Sequence, residues 1–300
     1  MIKKPQKAPS KSITNEELEK LTYPVLGSFK LDGFRCVTNN AAYTNSMKLI
    51  KNKYIQSILS RPEYACLDGE LIVGAPNDPN AFNNTTGPVR RSEGEPDFKF
   101  YVFDVHGWNA PYKERYKALK NCSTFTNIIE VIEQYELKNA QEVIAFEAWC
   151  VEQGYEGAMI RNPNAFYKEG RCTLKEQNIF KRKPLLDDEA VIVGFSEQME
   201  NQNEEFTNEL GNTTRSSHQE NKVGKGTLGS FTLRSKLWED TFDCGTGLGL
   251  TDALRQEIWN NQDAYIGKTV VYKYQAHGSL DKPRQPIFKG FRAEEDLSED

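Results

Sequence analysis

The chain changes character at Pro184, in "IFKRKPLLDDEAVIVGF". Proline cannot donate to a strand ladder and pushes the residue before it out of the helical region, so one β-rich run breaks there and another begins beyond it. On the N-terminal side strands and helices are mixed. "GSFKLDGFRCVT" and "ACLDGELIVG" are rich in β-formers with Asp-Gly inside or at the edge, where a hairpin turn is expected. "DFKFYVFDV" alternates as a half-buried strand does, and "IIEVIEQYEL" reads as another strand. "PYKERYKALK" sets Tyr112, Tyr116 and Leu119 at helical spacing. "NAQEVIAFEAWCVEQG" carries a full set of helix signals, with Asn139 as N-cap, Glu142 three residues on and Gly154 as the stop. On the C-terminal side four runs read as strands, and "TDALRQEIWNNQDAY" reads as one helix capped by Thr251. Short strands with a single helix suit a small, partly closed barrel of the oligonucleotide-binding type. The expected fold is α+β: a mixed α/β domain over 21–186, then an OB-fold β-barrel over 187–300.

The 300 residues are enough for one large domain or two ordinary ones. Residues 1–20 read as a basic, mobile arm in which Pro5 and Pro9 block helix; no apolar core follows its cations, so a secretory signal is not expected. No apolar run approaches a membrane span. The six cysteines are scattered without any C-x-x-C, which suits reduced thiols in a cytoplasmic protein rather than a zinc site. A net charge of −5 argues weakly against a nucleic-acid partner. Cations nevertheless gather in the arm, in "VRR", in "FKRK" and in "RQPIFKGFR", and a groove can be basic on an acidic protein. Residues 199–226, almost without apolar side chains, read as a long loop that is functional or disordered.

Several residues carry possible chemistry, and each has an ordinary explanation when taken singly. Lys30 in "KLDGFR" becomes a nucleophile once neighbouring cations and partial burial lower its pKa. Lys181 and Lys183 alternate in "FKRKP" and so share one strand face, where an anion such as a triphosphate would relieve their repulsion. Glu70 in "LDGEL" and Glu156 in "YEGAM" offer carboxylates for Mg²⁺, which takes one or two of them plus phosphate oxygens and water. Phe103 in "YVFDV" offers a ring for a purine base. Arg284 and Arg292 offer planar forks for phosphates.

Their order is more telling than any one of them. K-x-D-G-x-R, D-G-E, F-D, E-G-x-M-I-R, K-x-K and R-x-P-x-F-x-x-x-R run colinearly through the chain. In this the sequence resembles the ATP-dependent DNA ligases of the covalent nucleotidyltransferase superfamily, above all the minimal viral and phage type. The resemblance implies a nucleotidyltransferase domain followed by the barrel. It implies ATP, with AMP carried covalently on Lys30, and Mg²⁺ or Mn²⁺. The substrate it implies is nicked duplex DNA with 3′-hydroxyl and 5′-phosphate ends, sealed by a monomer. By the same resemblance Phe29, Arg35, Glu70, Phe103, Lys181 and Lys183 would meet the nucleotide, and Glu70 and Glu156 the metal. Arg284 and Arg292 would orient pyrophosphate, which implies a barrel that swings about the linker near Leu185. Arg35, Asn45, Lys48 and Arg171 would meet DNA, as would Arg215, Lys222 and Lys225 on a latch-like loop over 199–226.

One departure stands out. The family pattern after the first motif is Ser-Arg with a lysine a few residues on, whereas this chain has "YTNSMKLIKNK", with Asn45 in the arginine's place. That leaves the 5′-phosphate of a nick without its usual partner and turns attention to Lys48 and Lys51. Read as a strand, the segment favours Lys51; the family pattern favours Lys48, and a turn after Ser46 would reset the parity, so Lys48 is the expected partner. Within the superfamily the alternatives are an RNA ligase or a GTP-using capping enzyme. A noncatalytic nucleic-acid-binding protein would have no need of Lys30, Glu156 and the lysine pair together.

Overall fold

The protein is described by a computed structural model covering residues 3–123, 125–207, 213–216, 219–247 and 249–292. The fold divides into two compact units, Met1–Pro184 and Leu185–Asp300. In the first unit the order is β1 (Gln6–Lys7), α1 (Asn15–Leu18), β2 (Val25–Phe29), β3 (Phe34–Thr38), β4 (Ala42–Thr44), α2 (Lys53–Leu59), β5 (Leu67–Val73), α3 (Ala81–Arg90), β6 (Phe98–Val105), α4 (Tyr112–Lys120), β7 (Ile129–Val131), β8 (Tyr135–Leu137), α5 (Ala140–Glu152), β9 (Ala158–Arg161), β10 (Gly170–Arg171) and β11 (Ile179–Arg182).

Two sheets carry this unit. One has the order β11-β9-β2-β8 and is antiparallel throughout; the other has the order β4-β3-β5-β6-β7. The first sheet buries one face against α5, whose Val143, Phe146 and Cys150 recur at helical spacing and pack with Val25, Ala158, Ile160 and Phe180. Asn139 caps α5 by accepting from the Glu142 amide at 2.9 Å, and the chain leaves through Gly154 at φ +85°. The second sheet buries Cys36, Leu71 and Phe100 with Ile55 and Leu59 of α2 and Leu119 of α4.

Several expectations are corrected here. Residues 30–33 are not a hairpin turn, because β2 and β3 lie in different sheets and the segment crosses between them. Gly33 is needed for close approach: a Cβ there would stand 2.4 Å from the Leu71 carbonyl oxygen. "IIEVIEQYEL" is not one strand but two, β7 and β8, which again go to different sheets. α1, α2 and α3 lie where no helix was read. In α3, Gly87 and Pro88 hide the pattern, although Pro88 stands in its last turn.

The N-terminal segment is tied down rather than mobile over its described part. β1 pairs in parallel with β10, and Gln6 is 3% exposed. Its carbonyl accepts from Arg35, its side-chain oxygen from Arg161, and its amide donates to the Tyr167 hydroxyl. Basic composition signalled an arm; the buried polar bonds that fix it were not visible in composition.

The second unit contains β12 (Leu186–Asn201), β13 (Glu205–Thr207), β14 (Thr213–Arg215), β15 (Lys222–Arg234), β16 (Phe242–Gly245), α6 (Asp252–Asn260), β17 (Thr269–Gln275) and β18 (Arg284–Phe291). Five strands close fully into a barrel of order β12-β15-β16-β18-β17. β12 reaches both neighbours because its register with β15 slips at three places, which bends the strand around the barrel. The core is Ile192, Leu228, Phe231, Leu233, Val270, Tyr272 and Phe288, plugged by Ile258 of α6. Thr251 caps that helix, accepting from the Leu254 amide at 3.2 Å.

The polar stretch over 199–226 is not a loop in its described residues. β12 and β15 stay paired out to Asn201 and Lys222, and β13 and β14 form a small hairpin beyond them. Polar side chains do what an apolar core does elsewhere: Asn201 and Asn203 donate to the Ser216 carbonyl at 2.8 and 2.9 Å, and Arg215 donates to the Asn203 carbonyl at 2.6 Å. Residues 208–212, 217 and 218 of that stretch, and the acidic tail 293–300, lie outside the described residues.

Candidate active site

Strand alternation sorts the first sheet into two faces. Ser28 pairs with Met159, and Met159 with Lys181, so these three share a row opposite to the one that packs on α5. Lys30 continues that row past the end of β2, held by its amide donating to the Gly157 carbonyl at 2.9 Å. In the second sheet Arg35 stands directly across from Glu70. The two rows border a cavity of about 360 Å³ lined by Lys30, Arg35, Glu70, Phe103, Arg171 and Lys181, among others.

Lys30 and Glu156 form an ion pair, with the carboxylate 4% and the lysine 20% exposed. Lys183 reaches the other oxygen of Glu156 at 3.5 Å. Gly157 makes this possible: its φ of +148° and the Arg182 carbonyl oxygen 2.2 Å from where a Cβ would stand both demand glycine. Glu156, expected to hold metal, is thus given to two ammonium groups. Lys181 sits among cations, and its pKa is lowered by burial first, then by Lys183, Lys30 and Arg171. Cations gathered in this way favour an anion beside them.

Arg35 is anchored. Its Nε and one terminal nitrogen grip the Asp68 carboxylate at 2.7 and 2.8 Å, and its guanidinium lies 4.5 Å from the centre of the Phe103 ring. Arg161 lies over the same ring at 5.2 Å. Phe103 therefore borders the cavity with cations already at its ring, so a base would have to share it with them. Burial pushes the Glu70 carboxyl up to about 7, against the pull of Arg35 and Lys30.

Phe29 borders the Lys30 cavity, but its ring is engaged on the other side of β2. The ring stacks on Tyr155 at 4.0 Å and joins Phe146 and Trp149 on the α5 side, as the odd position of β2 requires. Arg171 borders the cavity and donates to the Ala8 carbonyl at 2.9 Å. Asn45 stands in a turn after β4, with the Thr44 amide donating to the Lys48 carbonyl and Met47 at φ +59°. Strand parity therefore does not apply to Lys48 and Lys51, and both line a neighbouring cavity with Asn45.

In the second unit Arg292 pairs with Glu189 at 3.0 Å. Arg284 opens β18 opposite Gln275. Arg215 pairs with Glu205 at 2.8 Å and so fastens its own hairpin, whereas Lys225 is exposed and Lys222 half-buried.

A buried network that no motif pointed to ties the two sheets together. Asp104 on β6 accepts two bonds from Arg115, at 2.7 and 3.0 Å, and one from Arg161 on β9 at 3.0 Å. Tyr167 donates to Asp68 at 2.7 Å. The letters of Asp68, Asp104 and Arg161 were inside the motifs D-G-E, F-D and E-G-x-M-I-R, but nothing in the letters told which acid turned to which cation. Lys7 was missed altogether; it lines the cavity, and its pKa is lowered by burial first, then by Arg171, Arg35 and Lys4.

A magnesium-type ion fits only part of the expected set. Among the described residues no three acidic, histidine or cysteine groups gather into a metal cage. Glu156 is held by its two lysines, but Glu70, whose charge is costly where it lies, would gain from a cation. One carboxylate with phosphate oxygens and waters suffices for Mg²⁺.

Comparison with known proteins follows the same boundary as the fold. The sequence model for the ATP dependent DNA ligase domain matches residues 5–183, and that for the DNA ligase OB-like domain matches residues 221–292. The DNA ligase of Haemophilus influenzae is 29% identical over 268 residues, 86% of this chain and 82% of that one. The DNA ligase of African swine fever virus is 29% identical over 138 residues, 44% of this chain and 32% of that one, so the chain spans about a third of that relative's length. The crystal structure of Chlorella virus DNA ligase-adenylate superposes with a TM-score of 0.53 at 29% identity, covering 99% of this chain and 100% of that one.

Proposed function

The chain belongs to the ATP-dependent DNA ligase family, and from that premise we propose that it seals 3′-hydroxyl/5′-phosphate nicks in duplex DNA through a lysyl-AMP on Lys30. The observation that carries the reading is the position of Lys30: at the end of β2, in a cavity, bonded to Glu156 and sharing it with Lys183. In the first step the Lys30 Nζ bonds to the α-phosphorus of ATP, the bond to the bridging oxygen breaks, and pyrophosphate leaves. Glu156, already against the ammonium, is the carboxylate placed to receive its proton. Lys181 and Lys183, cations beside Lys30 and Glu156, would balance the charge of the α-phosphate on this reading, and phosphoryl transfer depends more on such positioning than on acid-base work. AMP then passes to the 5′-phosphate of the nick, and the 3′-hydroxyl attacks that phosphate and releases AMP.

Arg35 serves this site mainly by order. Fixed by Asp68 and by the Gln6 carbonyl, it borders the cavity with its guanidinium held in one place instead of swinging freely. Glu70 is the residue for a divalent ion or a ribose hydroxyl, and the ion would supply charge neutralisation on the phosphates. Phe103 offers its ring edge or remaining face to adenine.

Incubation with ATP labelled at the α-phosphate, with magnesium, followed by denaturing electrophoresis tests the assignment. The parent should carry label, and a nicked duplex should discharge it. Lys30→Ala and Lys30→Arg should both carry none, because a guanidinium does not deprotonate. Label retained by either variant removes Lys30 from this role. Parallel assays with GTP and with a nicked RNA duplex separate the ligase reading from its superfamily alternatives.

A further inference from the structure

Beside the Lys30 cavity lies a wider one of about 630 Å³. The two share Gly33, Arg35, Asn45, Glu70 and Phe82, so they form one continuous trough across the first unit. Its far part lies between two elements: the turn and extended segment after β4, and the last turn of α3. Three exposed cations line it, Lys48 and Lys51 from the first element and Arg90 from the second.

The charges are unbalanced. The one acid lining this wider cavity is Glu70, which stands directly across from Arg35 on the neighbouring strand. Arg35 is already matched by Asp68, and nearby Lys53 is matched by Glu93 at 2.6 Å. Among the described residues, the side chains of Lys48, Lys51 and Arg90 have no ion pair or hydrogen bond. Cations on facing walls of one concavity concentrate positive potential inside it. The same walls expose Leu49 and Phe82, at 57% and 37%. Apolar side chains interleaved with unpaired cations suit a polynucleotide, whose sugars and bases meet the first and whose phosphates meet the second. A compact anion would need the cations without the apolar surface.

We propose that Arg90, from the end of α3, supplies the phosphate-binding charge that Asn45 leaves out, and holds a backbone phosphate of the nicked strand in this trough together with Lys48 and Lys51. Asn45 stands where the trough opens into the Lys30 cavity and can bring no charge there. Arg90 faces the same space from the opposite element, and its planar fork grips a phosphate with two parallel bonds. Lys48 and Lys51 are the nearest cations in sequence; the fold adds one from the helix beyond β5. This inference rests on the ligase reading above.

A position in the last turn gives Arg90 another possible role, offsetting the helix dipole. Binding of a labelled nicked duplex, measured as a function of salt, separates the two. Arg90→Ala and Arg90→Gln should both weaken binding and flatten the slope of log K against log salt by about one, the signature of a lost phosphate contact. Arg90→Lys should keep the slope, and Asn45→Arg in the Arg90→Ala background should restore it. Lysyl-AMP formation from ATP without DNA, on the same preparations, reports whether each variant is folded. A parent that forms no lysyl-AMP contradicts the ligase reading itself. Variants that form lysyl-AMP and bind the nick with the parent's affinity and slope overturn the role of Arg90 and leave it a helix-end charge.

Discussion

Glu70 shows how a single side chain can connect this site to solution conditions. It lies in the middle of the second sheet's cavity-facing row, where losing water raises its carboxyl pKa more than Arg35 and Lys30 lower it. A carboxyl raised from 4.5 to about 7 binds more protons in the folded chain than in the unfolded one between those values. Stability contributed by that proton is full below about 4.5 and is lost as pH rises through about 7. Glu70→Gln removes the titrating group and keeps the shape. Thermal unfolding followed from pH 4.5 to 7 should therefore fall less steeply with pH in Glu70→Gln than in the parent. Parallel curves would show that Glu70 keeps an ordinary acidity in the folded chain. The same carboxyl is where a bound divalent ion would act, by favouring the charged form.

At the scale of elements, the paired strands around residues 199–226 form a surface device held by its own polar bonds. The Arg215–Glu205 ion pair and the asparagine bonds to Ser216 fix the small hairpin, which leaves Lys225 and Lys222 on the adjoining strand as its cations. Replacing 202–221 by a short Gly-Ser turn between the Asn201 and Lys222 partners should weaken binding of a nicked duplex and slow sealing. It should leave lysyl-AMP formation near the parent level. Unchanged nick affinity in a gel-shift titration would make the hairpin a solvated decoration. This element also marks what could be read in advance. α5 was legible because an N-cap, an apolar stripe and a terminal glycine agree over thirteen residues. The barrel strands were legible because alternation needs few residues to show. The hairpin was not, because its strands bury backbone bonds and polar side chains instead of apolar ones. The crossing at Gly33 was not either: Asp-Gly signals a turn locally, while the sheet each flanking strand joins is decided by contacts far along the chain. In the site, the letters of Lys30, Glu70, Glu156 and Lys181 could be picked out by their order. The pairing of Glu156 with two lysines, and of Asp104 with two arginines, depends on strands that meet only in the folded sheet.

The two units are assigned different parts of one reaction, and Arg292 offers the means to separate them. It lies at the end of the last barrel strand, its amide donating to the Thr269 carbonyl and its side chain paired with Glu189. Both partners of that pair are well exposed, and an exposed pair is worth about 0–1 kcal/mol, so a phosphate competes with it easily. If Arg284 and Arg292 clamp departing pyrophosphate, their charge matters when ATP is consumed and not when a nick already carries AMP. Arg292→Ala and Arg284→Ala should each slow lysyl-AMP formation by about ten- to a hundredfold, the scale of a charge-assisted bidentate contact. Both should seal a pre-adenylated nick at close to the parent rate. Glu189→Gln supplies the control in the opposite direction: it frees Arg292 without removing it, so lysyl-AMP formation should be no slower than in the parent. Single-turnover assays of the two steps on the same preparations decide the matter. Equal losses in both steps for the arginine variants would mean that the barrel supports the fold of the whole chain and takes no part specific to the first step; a slowed Glu189→Gln would mean that the ion pair itself holds Arg292 where it works.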